Sequence, residues 1–158
     1  MYEMARDLLR TNGYQHYEIS NLSLPGYASK HNCSYWERVP YLGIGPSAHS
    51  YKEGRRWWNV RSNAKYIKQI EEGKDFFEEE VLSADDIFNE QIMLGLRRQS
   101  GVDVALWQDT KGFPKNILQI PALSELYKEE LLYLESSRAK LSQEGRYMAD
   151  GVAARLFK

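Results

Sequence analysis

The sequence predicts an α/β plus α+β chain on three observations. A helical pattern at the N-terminus runs straight into an aromatic, β-favouring segment, the helix-then-strand order of an α/β unit. A glycine-bearing apolar run closes at Gly45-Pro46, the kind of strand exit at which α/β folds build ligand sites. Past residue 76 the pattern turns to helices and a turn pair, as expected of a second, mostly helical module.

Taken in order, residues 2–11 set Met4, Ala5, Leu8 and Leu9 at helical spacing before an Asn12-Gly13 stop. Tyr14 to Ile19 reads as a buried strand. From Ser20 to Pro40 the composition turns to Ser, Asn, Pro, Gly, aromatics and histidine, a long segment of little periodicity and therefore a functional loop. Tyr41 to Gly45 reads as a second strand ending at a site. Arg56 to Val60 reads as an edge strand, and Ser62 as the N-cap of a helix carrying Tyr66, Ile67 and Ile70 to Gly73. The Glu78-Glu79-Glu80 run reads as a solvated linker. Ser83 and Asp86 form a capping box for a helix with Ile87, Met93 and Leu94 that stops at Gly101. A short helix over 104–108, a Gly112-Phe113-Pro114 loop and a long helix after Pro121 follow, the last with Leu123, Tyr127, Leu131 and Leu134 on one stripe. Residues 139–143 and 146–149 flank Glu144-Gly145 as a hairpin, before a final helix from Asp150. Three helices and a β-ribbon outline a winged helix. The domain boundary falls near residue 76, giving domains 1–75 and 76–158.

Composition removes several function classes. The chain has 158 residues, 42% hydrophobic and 27% charged, which is ordinary for a folded domain. No run approaches the ~18 apolar residues of a membrane helix, and the start lacks the order of a signal peptide, so a cytoplasmic protein is expected. Lys plus Arg number 21 against 22 Asp plus Glu, without the basic excess of a nucleic-acid binder. Residues 83–158 alone carry a net −1, and Glu125, Glu129, Glu130 and Glu135 stand where a winged helix would read DNA, so phosphates are repelled. Cys33 is the single cysteine, which excludes an internal disulfide and a thiolate-held iron–sulfur cluster.

The densest chemistry lies in His31-Asn32-Cys33-Ser34-Tyr35-Trp36. An imidazole, a thiol and a phenol within five positions can ligate a metal or haem iron, and the aromatic faces can stack on a flat ligand; equally, His31 can bond the backbone in an aromatic mini-core, with Cys33 a small buried hydrophobe. The Gly43-Ile44-Gly45-Pro46-Ser47-Ala48-His49-Ser50 segment has neither the dinucleotide nor the P-loop spacing, leaving a cofactor edge or a tight strand exit. His16 reads as a surface or hydrogen-bonded histidine. Arg55-Arg56-Trp57-Trp58 reads as anion contacts or a snorkelling strand, and Glu18 as a buried anchor or a site carboxylate.

Taken together, Tyr17-Glu18-Ile19-Ser20-Asn21, Pro25-Gly26, Ser29, His31-Asn32-x-x-Tyr35-Trp36, Tyr41-Leu42-Gly43-x-Gly45 and Ala48-His49-Ser50 resemble one family. It is the radical-SAM proteins related to oxygen-independent coproporphyrinogen III oxidase, and most of all their haem chaperone branch, HemW. Weaker matches continue through Arg56-x-x-Asn59, Glu90 with Leu94, Leu96-Arg97, Gly101-Val102 and residues 141–145.

The resemblance implies that residues 1–75 finish a partial (β/α) radical-SAM barrel and that 76–158 form a winged-helix-like accessory domain of the HemN C-terminal type. The 4Fe–4S cluster, its Cys-x3-Cys-x2-Cys ligands and most S-adenosylmethionine contacts then belong to an N-terminal barrel half outside this chain, so the chain alone should show no radical chemistry. His31 falls where the chaperone branch places its haem iron ligand, with Asn32 and Tyr35 beside it in the motif. Ser23 and His49 fall near S-adenosylmethionine. The implied function is haem binding and delivery; the alternative is that the parent oxidatively decarboxylates coproporphyrinogen III. Implied partners are haem or a porphyrin, the missing barrel half and a haem-accepting protein. An exposed sheet edge near Tyr17 to Ile19 would also invite self-association.

Overall fold

The computed structural model describes residues 2–108 and 120–158. In chain order its elements are α1 (Tyr2–Thr11), β1 (Gln15–His16), β2 (Leu22–Ser23), α2 (Lys30–Trp36), β3 (His49–Lys52), β4 (Arg55–Asn59), α3 (Asn63–Glu71) and β5 (Phe77–Val81). There follow α4 (Ala84–Arg97), β6 (Val102–Asp103), α5 (Ala105–Gln108), α6 (Pro121–Lys128), β7 (Leu132–Glu135), β8 (Arg138–Leu141), α7 (Gln143–Tyr147) and α8 (Ala149–Ala154). Two compact units emerge, one of residues 1–36 with 88–158 and one of residues 37–87.

The first unit holds the core. On α4, Phe88, Ile92 and Leu96 recur at four-residue spacing and are buried, one apolar stripe along the helix. They meet Val102, Trp107, Leu123, Leu126 and Val152. Trp107 packs edge-to-face on Phe88 with ring centroids 6.0 Å apart, and each such side chain contributes about 1.5–3 kcal/mol by leaving water. A three-stranded antiparallel sheet, ordered β6-β8-β7, closes this core, with Leu132 opposite Leu141.

Three expectations about this unit need correction. The segment from Tyr14 to Ile19 forms only the two-residue β1, paired antiparallel with β2. Its remainder leaves the strand because Ser20 and Asn21 turn back onto Glu18. Residues 17–19 instead bond to the end of α4 and the residues after it, Ile19 N–H to Arg97 O at 2.9 Å and Gln99 N–H to Tyr17 O at 3.2 Å, so one side of this segment is covered by the chain itself. The long helix after Pro121 ends at Lys128: Glu130 takes a left-handed φ of 57°, and Leu132 onward is strand, leaving Tyr127 exposed. The hairpin is therefore β7–β8, turning at Ser136-Ser137, whereas Glu144-Gly145 lies inside α7, whose start Ser142 caps by accepting from Gly145 N–H at 3.0 Å. The loop expected at Gly112-Phe113-Pro114 lies outside the described residues.

The second unit is a three-stranded antiparallel sheet, β3-β4-β5, with α3 following β4. The Glu78-Glu79-Glu80 run is its outer strand, not a linker, and β4 is central, not an edge. Charge complementarity overrode the low strand propensity of glutamate: Arg56 Nε donates to Glu80 at 2.8 Å, Arg55 Nη2 to Glu79 at 2.6 Å and Trp58 Nε1 to Glu78 at 3.2 Å. Tyr41 to Gly45 is not a strand either. Only Tyr41 bridges, to Tyr51, and Leu42 and Ile44 are exposed.

The capping signals match the sequence reading. Ser62 accepts from Lys65 N–H at the head of α3. Ser83 and Asp86 bond reciprocally at the head of α4, Asp86 N–H to Ser83 Oγ at 3.1 Å and Ser83 N–H to Asp86 Oδ2 at 2.9 Å; those bonds, led by the one from the Ser83 hydroxyl, hold the Asp86 carboxyl below its ordinary value.

Candidate functional site

The His31 motif sits on α2 and not on an irregular loop, as the weak apolar periodicity suggested. Ser29 nucleates the helix: its hydroxyl accepts from Asn32 N–H at 3.2 Å and its carbonyl from Cys33 N–H at 2.9 Å. The four-residue spacing of His31 and Tyr35 puts both on one face. Their rings meet edge-to-face, centroids 4.8 Å apart at 80°. His31 is exposed, Tyr35 is 37% exposed, and Asn32 and Cys33 are half-buried. The helix therefore offers an imidazole to solvent, braced by a phenol one turn later. At its end Trp36 lies beneath the Arg97 guanidinium, 6.0 Å from ring centroid to Cζ, and its buried indole N–H has no hydrogen-bond partner among the described residues.

Ser23 lies on β2 of the same unit, opposite Gln15. His49 lies on β3 of the second unit, opposite Trp58, exposed, with its ring 6.2 Å from the indole. Beneath it the Gly43–Gly45 segment is tightly pinned: a Cβ on Gly43 would fall 2.2 Å from the His49 carbonyl oxygen. Gly43 N–H donates to the buried Ser50 Oγ at 2.9 Å, and the buried Asn59 Nδ2 donates to Gly45 O at 2.8 Å. Those two anchors escaped the sequence reading; a small and an amide residue inside strands otherwise rich in aromatics and cations are the signal that marks them. The segment is a pinned loop leading into β3, held by side chains.

Glu18 proves to be an anchor. It is 2% exposed and accepts from Ser20 N–H and the Asn21 amide. His16 is buried beside it. Burial first, and then the nearby charges of Arg146, Arg6 and Arg10, hold its imidazole below the ordinary histidine value, against the opposing pull of Glu18. No group of three His, Cys, Asp or Glu side chains among the described residues can hold a metal ion, and none of their helices is long and apolar enough to cross a membrane.

With this geometry in view, comparison with known proteins gives a consistent answer. Residues 82–148 match the model of the HemN C-terminal domain. The chain is 38% identical over 152 residues to the haem chaperone HemW of Lactococcus lactis, covering 96% of this chain and 40% of that protein. It is 31% identical to the haem chaperone HemW of Bacillus subtilis, with the same coverages, and 27% identical to the mitochondrial radical S-adenosyl methionine domain-containing protein 1 of Bos taurus, over 99% of this chain and 38% of that protein. In structure it matches coproporphyrinogen III oxidase (HemN) from Escherichia coli, a radical SAM enzyme, with a TM-score of 0.71 at 16% identity, over 99% of this chain and 40% of that one. The mixed helix-and-sheet fold is thus shared with part of that structure. Residues 82–148 are thus similar to a HemN C-terminal domain, and nearly the whole chain is similar to part of the HemW haem chaperones. It spans about 40% of the length of the curated relatives it matches.

Proposed function

We propose that this chain is the haem-holding, C-terminal part of a HemW-type haem chaperone, with His31 as the iron ligand and Asn32 and Tyr35 as its neighbours in the site. The observation that carries the reading is the exposed His31 imidazole on α2, backed edge-to-face by Tyr35. An axial ligand needs a neutral, accessible ring nitrogen of fixed orientation, and the phenol restricts the ring while leaving it open to solvent. Names borne by the relatives support the same chemistry.

On this reading the 4Fe–4S cluster and S-adenosylmethionine belong to the longer parent. Such a cluster takes several thiolates, and this chain has Cys33 alone. Ser23 and His49 remain the positions proposed to approach S-adenosylmethionine. The missing barrel half is the proposed partner of α1, whose Met4 and Leu8 are exposed apolar residues on one face. A haem-accepting protein completes the partners. The order helix, strand, helix, helix and two-stranded ribbon over residues 84–141 supports a winged-helix-like accessory module that packs and does not read DNA.

The test is a haemin titration of the purified chain followed at the Soret band. Saturable binding that His31→Ala weakens and Cys33→Ala spares is expected. Binding indifferent to His31→Ala overturns the ligand assignment, and activity of the full-length protein on coproporphyrinogen III would favour the oxidase alternative.

A further inference from the structure

Arg10 and Arg146 stand at opposite ends of the sequence, yet both line one cleft of about 480 Å³ in the first unit. Arg10 comes from the last turn of α1 and Arg146 from α7. Between them the wall is built from Tyr14, His16, Gln99 and Gln143, and no Asp or Glu contributes to it. Among the described residues neither guanidinium has a carboxylate within ion-pair distance, whereas Arg6, one turn before Arg10, is held by Glu3 and Asp7. Two cations without a carboxylate in ion-pair distance repel each other and disfavour the protonated form of His16, against the pull of Glu18. Such an arrangement is stabilised when an anion enters, because guanidinium forks bind oxyanions bidentately, and phenol and amide groups supply the remaining donors.

We propose that this cleft is a binding site for the anionic oxygen group, carboxylate or phosphate, of a small molecule, held chiefly by Arg10 and Arg146. The site is separate from the haem reading, since His31, Asn32 and Tyr35 do not line it. Its polar wall suits the charged end of a ligand and not the face of a macrocycle.

The experiment is calorimetric titration of the chain with inorganic phosphate and, separately, with succinate, at low ionic strength. One saturable site for at least one of these anions is expected, weakened about tenfold by Arg10→Gln and by Arg146→Gln, as for the loss of a charge-assisted hydrogen bond, and unchanged by Arg61→Gln in the second unit. Preference for phosphate or for succinate identifies the ligand's head group. Arg10 is exposed, so Arg10→Gln tests the site even where Arg146→Gln fails to fold. Absence of saturable binding of both anions, or equal weakening by Arg61→Gln, overturns the proposal.

Discussion

Replacing Gly145 by alanine tests the packing of α7 against the strand end before it. A Cβ at this position would lie 1.9 Å from the Leu131 carbonyl oxygen and 2.9 Å from its carbon. Both are backbone atoms that no rotamer change can remove. Restoring an ordinary 3.4 Å contact requires about 1.5 Å of movement, which also pulls Ser142 N–H from Leu131 O, bonded at 3.1 Å. Overpacking of this kind costs about 1–3 kcal/mol and the lost bond about 1 kcal/mol, offset by about 1 kcal/mol of helix propensity gained by alanine. The net loss is about 1–3 kcal/mol, or roughly 3–10 °C in Tm for a chain of this size. Urea denaturation followed by circular dichroism measures it, with Gly151→Ala as the control. Gly151 is helical with nothing within 4 Å of its added Cβ, so that variant should gain about 0.5–1 kcal/mol. A Gly145→Ala protein as stable as Gly151→Ala would refute the steric argument.

Three further outcomes are expected. The folded chain holds His16 below its usual value, so the unfolded state binds the extra proton and stability falls as pH drops below about 6.5, the unfolded histidine value; urea midpoints at pH 7.5 and 5.5 should converge in His16→Gln. Ile92, fully buried in the α4 stripe, should cost about 2–5 kcal/mol on truncation to alanine, read by thermal unfolding. Asn59→Ala removes the donor to Gly45 O, should cost about 1–3 kcal/mol, and should raise amide exchange over residues 43–45.

Local signals were legible where one residue decides the outcome. Ser62, Ser83 and Asp86 capped the helices they promised, because a cap is a bond between a side chain and backbone three residues away. Boundaries that depend on distant partners were not. Nothing in Phe77–Val81 alone distinguishes an acidic linker from a strand; the distinction lies in Arg55, Arg56 and Trp58, about twenty residues earlier. The stripe read through Leu131 and Leu134 was apolar at helical spacing, yet the chain turns at Glu130, so that Leu131 falls just ahead of β7 and Leu134 within it. Of the candidate site, the motif at His31 was evident as composition, and its helix was not, since Ser29 is a modest cap and α2 buries no residue fully. The arginines of the cleft carry no local pattern at all, and only the fold brings residue 10 to residue 146.

The acidic outer strand of the second sheet has a consequence for solubility. A strand at a sheet border leaves a row of unpaired amides and carbonyls, a template for pairing with another copy. Here all five residues from Phe77 to Val81 are exposed, and three consecutive carboxylates oppose the approach of an identical strand. That protection is electrostatic and so conditional: molar salt screens it, and an extended border flanked by Phe77 and Val81 is then left open to aggregation. The residues that hold the strand to Arg55 and Arg56 on one side thus act as gatekeepers on the other.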